Sequence, residues 1–484
     1  MRMVNLFKEI EPPSQESGGI TGHFSLAIPL FLGSVFVLPL IINPNIFESF
    51  DRTYLYPRLW WIYVVILPSV LLMLFNWSSP WKGVRPPLTI VLILIAWLTI
   101  TTLLNRAGWA GWWGQLDRAD GVLMHMLYAL VLLAGWRWAK QDHKWQQKLG
   151  IAILIGGSLL ALTNILQQLH LMGVPNGNAF TGVTATLFGG TLGHRGYLGG
   201  AMALLLPFTI YQAGQVRIHS NLYALGVLLM SWALWGSFTR AAWLAGLLGL
   251  LGLLAFRVPW RIWGAVAVGF ILWGGTTFFH TWGGTTFSHT TDLLNAKVSQ
   301  GIADNSGRTI LWKSALYGIK EKPLFGWGTP ALIKTFHVRP LPDLMQERGI
   351  QNIKSFEELP LDPNNFPSVR VIHQDGKREN IMLASVNKVH NEYMDYALTY
   401  GIPAALCFVA LLTWAIWSSR LSAPGISTSL LAYAFYIFLW PEIIRFAPIA
   451  WLMMGIALSR SIRDEAPENG LISPAAASPF SPPQ

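Results

Sequence analysis

The chain has 484 residues, 52% of them hydrophobic and 12% charged, with a net charge of +10. Soluble domains carry about 25% charged residues, so this composition excludes an ordinary soluble enzyme and calls for helices or a closed barrel in a bilayer. The basic excess is read as cytoplasmic loop charge, since no nucleic-acid motif accompanies it, and the single cysteine, Cys407, excludes an intrachain disulfide and a cysteine metal cluster.

Residues 1–23 are polar, without the apolar centre of a cleavable signal, and are read as a cytoplasmic tail. The apolar runs that follow are about 17–25 residues long, which fits helices rather than alternating strands. Nine fall within 24–279, at about 24–43, 58–75, 86–104, 121–138, 148–168, 194–213, 221–236, 240–256 and 260–279. Three more fall within 392–460, at about 392–417, 427–440 and 444–460. The expected fold is an all-α polytopic membrane protein of about twelve spans. Fourteen Lys and Arg residues lie in one set of short loops and tails and seven in the opposite set, so both termini are expected in the cytoplasm.

That orientation puts a large loop, 280–391, outside, between the ninth and tenth spans. It begins within a near-repeat, Trp273-Gly274-Gly275-Thr276-Thr277-Phe278 and Trp282-Gly283-Gly284-Thr285-Thr286-Phe287, to which no chemistry is assigned. A helix follows, capped by Ser306, with Ile310, Leu311, Leu316 and Ile319 on one face and ending at Pro323-Leu324-Phe325-Gly326-Trp327-Gly328. The stretch 337–388 is rich in proline and charge and is expected to be irregular. Residues 169–193, rich in Gly and Thr, form an outer loop suited to be a lid. The tail 461–484 reads as disordered.

Three residues stand where outward-facing helices begin: Arg195 in Gly193-His194-Arg195-Gly196-Tyr197, Arg240 in Ser237-Phe238-Thr239-Arg240-Ala241-Ala242-Trp243, and His390 in Val389-His390-Asn391-Glu392-Tyr393. A cation there opposes the helix dipole and loses hydration, so an anionic ligand is the expected compensation. Helix N-termini bind phosphate, and the arginine fork holds two of its oxygens. By contrast, Arg58, Arg118 and Arg445, taken singly, read as interfacial arginines reaching lipid headgroups. A helix N-terminus also disfavours imidazolium, which leaves His390 neutral and able to accept a proton from a hydroxyl. Glu392 either weakens this effect or orients the ring. No HExxH, DxD-like pair, CxxC or P-loop is present, so neither metal nor nucleotide is expected.

These motifs, with Ser306-Gly307-Arg308, Trp312 and Tyr400-Gly401-Ile402, resemble the O-antigen ligase and O-antigen polymerase family of bacterial inner-membrane proteins. The resemblance implies a GT-C-like membrane fold with the large loop in the periplasm. It implies a metal-independent, inverting glycosyltransferase that takes a glycan from an undecaprenyl diphosphate carrier. The acceptor would be lipid A-core, another glycan or a protein. On this analogy Arg195, Arg240 and Arg308 hold the donor diphosphate, His390 activates the acceptor hydroxyl, and Glu392 and Tyr393 support the site. Ligation is preferred over polymerisation; anion or bicarbonate transport is the alternative of another class. Against transport, the span centres are nearly free of charge and no repeated halves are seen.

Overall fold

The computed structural model describes residues 21–43, 50–75, 85–115, 118–169, 171–172, 189–216, 219–282, 308–336, 352–359, 368–382 and 388–459. Most of the lid segment, residues 1–20, Ser306 and the C-terminal tail lie outside the described residues, as do 283–307. The first third of the chain contains α1 (Thr21–Val37), α2 (Phe50–Tyr54), α3 (Tyr56–Trp61), α4 (Leu67–Phe75), α5 (Arg85–Leu104), α6 (Gly108–Trp113), α7 (Val122–Gln141) and α8 (Trp145–Gln168). Next come α9 (Arg195–Gln215), α10 (Ser220–Gly236), α11 (Arg240–Leu253) and α12 (Trp260–Trp282), then α13 (Arg308–Glu321) and α14 (Ala331–Phe336). The chain closes with α15 (Glu392–Tyr400), α16 (Ile402–Ser419), α17 (Pro424–Leu439) and α18 (Ala447–Leu458).

Among the described residues four helical stretches are long and apolar enough to cross a membrane: Arg52–Phe75, Val122–Gln141, Trp145–Gln168 and Ile402–Ser419. Shorter apolar helices include Ala27–Leu40, Leu88–Leu104, Arg240–Leu253, Pro424–Leu439 and Ala447–Leu458. The stretch Arg52–Phe75 contains one wide turn, Ile62–Ile66. Pro68 explains it: with no N–H to give the carbonyl four residues back, the helix loosens its pitch there.

Two departures from the sequence reading concern the region after 337. The stretch 337–388 is not wholly irregular. It contains a three-stranded antiparallel sheet, β1 (Ile353–Glu358), β2 (Ser368–His373) and β3 (Arg378–Met382), in the order β1-β2-β3. The hairpin joining β2 to β3 turns through Asp375 and Gly376, with Gly376 at φ +85°, and Val371 is buried beneath the sheet. The tenth apolar run is also not one helix. It breaks at Gly401, whose φ of +90° a side chain would resist. The last turn of α15 is closed by the 323–328 motif: the Trp327 and Gly328 amides donate to Leu398 and Thr399 oxygens at 2.9 Å each. Those carbonyls have no partner within their own helix, and Phe325 in turn stacks on Trp97 of α5 at 5.3 Å.

Close helix contacts set the frame. Gly455 of α18 and Gly135 of α7 face each other's backbones: a Cβ would stand 1.9 Å from the Leu132 oxygen and 2.7 Å from the Leu452 oxygen, respectively. Small residues at such crossings let helices approach within lipid. α17 packs on α9 and α11. Gly200 lies under the Tyr436 ring, and the Tyr436 hydroxyl donates to the Gly196 oxygen at 2.9 Å. These contacts hold Trp440, at the C-terminal end of α17, against the first turn of α9, with Gly196 leaving room for its ring.

Candidate active site

Trp440 is the centre of the site. His194 lies 5.3 Å from it and His390 also 5.3 Å, centroid to centroid. Tyr197 meets it edge-on at 6.1 Å, and the Arg308 guanidinium stands 5.7 Å from its ring. Behind Tyr197, Arg118 Nη1 donates to the Tyr197 hydroxyl at 2.6 Å. Arg445 lies 5.1 Å from the same ring and 5.6 Å from that of Tyr54, and donates to the Leu192 oxygen. The contributing segments are the turns before α7, α9, α15 and α18, the start of α13 and the end of α17.

The residues expected from sequence are distributed as follows. His390 and Arg308 meet at Trp440. Arg195 is the half-buried first residue of α9, next to His194. Arg240 is the exposed first residue of α11, and its charge, together with burial, lowers the affinity of Arg308 for its proton; burial is the larger effect. Glu392 does not orient His390: its Oε2 accepts from the Glu442 amide at 2.7 Å. The Tyr393 hydroxyl donates to the Ala434 oxygen at 2.8 Å. Both tie α15 to its neighbours, so their contact role is to hold the frame.

His390 itself is held in an unusual backbone conformation, φ +57°, which histidine tolerates better than most residues. Asn391 caps α15, its side chain accepting from the Met394 amide at 3.1 Å. Lys388, two residues before His390, bridges Asp120 and Asp395, each at 2.5 Å. Burial works against both ions of the first pair. Asp120 and Asp395 nevertheless hold Lys388 well above the usual lysine range, and Lys388 keeps Asp120 below the usual carboxylate range.

His390 Nδ1 lies 3.2 Å from the Lys388 oxygen. A carbonyl oxygen only accepts, so Nδ1 carries the hydrogen. Burial, followed by the positive charges of Arg118 and Arg308, pushes the imidazole down to about 4. At neutral pH the ring is therefore uncharged with an open lone pair on Nε2, the form a general base needs.

Sequence reasoning missed Arg118, Arg445, His194, Tyr197 and Trp440, and Arg58 outside the site. The headgroup reading of the arginines is overturned for Arg58 and Arg445, which are 0% and 4% exposed. Arg58 gives its hydrogens to the Leu38, Tyr54, Pro39 and Thr191 oxygens instead. Arg118 is partly buried and engaged with Tyr197. The positional signal was available, since each of these arginines stands just before or at the start of an even-numbered apolar run.

The architecture is that of a helical membrane protein that gathers arginines and uncharged imidazoles where several helices begin. Over residues 225–366 the chain matches the model of the O-antigen ligase family, the family its motifs resemble. That match supports glycan transfer of the ligase or polymerase type. The matched segment includes Arg240 and Arg308; Arg195 precedes it and His390 follows it. No curated protein matches the chain.

Proposed function

We propose that this protein transfers a glycan from an undecaprenyl diphosphate carrier to an acceptor hydroxyl. The transfer takes place at the periplasmic face of a bacterial inner membrane, within a fold of about twelve spans with both termini in the cytoplasm. Arg195, Arg240 and Arg308 take the donor diphosphate, and Arg118 and Arg445 add to the positive field. His390 Nε2 accepts the acceptor proton as the hydroxyl oxygen attacks the anomeric carbon. The carbon–oxygen bond to phosphate breaks, its electron pair leaves with the diphosphate, and the anomeric centre inverts. Fixed positive charge stabilises the charge that develops on the leaving group. No metal or nucleotide enters the reaction.

The observation that carries this reading is the state of His390: an uncharged ring whose Nδ1 hydrogen is directed to the Lys388 oxygen, set among arginines. Ligation to an existing acceptor is preferred over polymerisation.

The test is the glycan profile of a deletion strain complemented with wild type or His390→Ala. Long chains that accumulate on the carrier and are cleared only by wild type support ligation. Single repeat units accumulating instead mean polymerisation by the same chemistry. Unchanged carrier and surface pools overturn the reading and direct attention to anion uptake.

A further inference from the structure

The two histidines on Trp440 are locked in opposite tautomers. His194 Nδ1 accepts the Gly196 amide hydrogen at 3.0 Å. An N–H only donates, so Nδ1 keeps its lone pair and the ring is neutral with its hydrogen on Nε2. His390 has the reverse arrangement, with Nδ1–H toward a carbonyl and Nε2 open. One imidazole is thus set to accept a proton and the other to donate a hydrogen bond, with the Trp440 ring against both.

Two further observations bear on what His194 faces. The charged and titratable groups acting on its ring are Arg195, Arg445, Arg118 and His390, all cationic or neutral. Beside it, the Trp440 Nε1–H is closed off from solvent and has no acceptor among the described residues. A buried donor without an acceptor costs stability unless a ligand completes it. Two uncharged donors among arginines suit an oxyanion, because they bind it without needing a counter-charge of their own.

We infer that His194 is a second catalytic residue, its Nε2–H donating a hydrogen bond, together with the Trp440 Nε1–H, to a phosphate oxygen of the leaving diphosphate. The inference rests on the transfer reaction proposed above. His194 transfers no proton. His390 takes the acceptor proton and releases it to solvent after product leaves, and the diphosphate departs with the bonding electron pair. The hydrogen bonds from His194 and Trp440 strengthen as charge builds on that oxygen, so they lower the barrier more than they tighten ground-state binding.

Two substitutions separate this role from that of a helix cap. His194→Asn keeps an oxygen able to accept the Gly196 amide hydrogen, since asparagine is a favoured N-cap residue, but removes the Nε2–H. His194→Gln gives up the cap and keeps an amide N–H near the former Nε2 position. Transfer is measured on purified protein with a synthetic undecaprenyl-diphosphate-linked glycan. The expected result is a loss of about a hundredfold in kcat for His194→Asn, the scale seen when one oxyanion donor is removed. KM should be little changed, His194→Gln should lose clearly less, and Trp440→Phe should fall in the same direction as His194→Asn. If His194→Asn works like wild type while His194→Gln fails, the residue is a cap and the inference is overturned. If wild type itself transfers nothing from this donor, the transfer reading has failed instead.

Discussion

The low proton affinity of His390 gives a pH dependence that separates it from an ordinary histidine. The ordinary value is 6.5, and burial with Arg118 and Arg308 brings it to about 4. At a pH of about 5.5, a group titrating at about 4 is almost wholly in its basic form, whereas one titrating at 6.5 is about one-tenth basic, close to a tenfold difference in active enzyme. The assay is kcat/KM for the acceptor, which reports groups in the free enzyme. It should stay flat as pH falls through 6.5 and be halved only near about 4. The fold shares this window. The unfolded chain binds a proton at His390 below 6.5 and the folded one only near 4, so this contribution to stability is present above 6.5 and is lost as pH falls through 4. Protein recovered from each acid point must therefore regain full rate when returned to neutral pH. An acid limb centred near 6.5, with reversible activity, would refute both the assignment and the electrostatic account of the site.

Two further perturbations test the surroundings. Lys388→Met leaves Asp120 and Asp395 facing each other without the cation that joins them; loss of one partner from a buried ion pair costs about 3–5 kcal/mol. Thermal unfolding in detergent should shift sharply downward, and Asp120→Asn added to Lys388→Met should restore part of the loss; an unchanged melting curve would show that the pair does not hold the His390 turn. Chelation should leave transfer unaffected, because the proposed reaction uses arginines where other glycosyltransferases use a metal ion; inhibition by EDTA that added divalent metal reverses would contradict this.

Much of the frame was legible because lipid imposes it. Uninterrupted apolar runs such as 121–138 and 148–168 correspond closely to α7 and α8, since a helix is the simplest way to satisfy every backbone group across a bilayer. The break at Gly401 was not legible from hydropathy, because the apolar character continues across it. Its cause lies some seventy residues earlier, where Trp327 and Gly328 take the last carbonyls of α15. Here the Pro-Leu-Phe-Gly-Trp-Gly motif, first noticed as a helix stop, also ends a second helix distant in sequence. The sheet at 353–382 escaped notice for a different reason. Its strands are only five or six residues long and charged on their exposed positions, so proline and charge outweighed the short alternation around Val371.

The site was half legible, and the reason is instructive. Arg195, Arg240 and His390 stand out because each lies at the start of an apolar run expected, from the distribution of lysine and arginine, to begin on the outer side. The same parity, carried through every even-numbered run, also selects Arg58, Arg118 and Arg445. Judged one at a time, these three look like headgroup contacts, because a single arginine near an interface can always turn toward water. Together they cannot all be explained that way, since clustered cations repel one another as well as losing hydration. The structure resolves this in two ways. Arg58 gives its hydrogens to backbone oxygens of turns in the first part of the chain, which makes it a brace. Arg118 and Arg445 both meet Tyr197, the first at its hydroxyl and the second over its ring, where the shared repulsion favours a ligand with more than one negative charge. A diphosphate meets that requirement better than a monovalent anion such as bicarbonate. The arrangement of the arginines, more than any one of them, therefore favours transfer from a lipid diphosphate over anion transport.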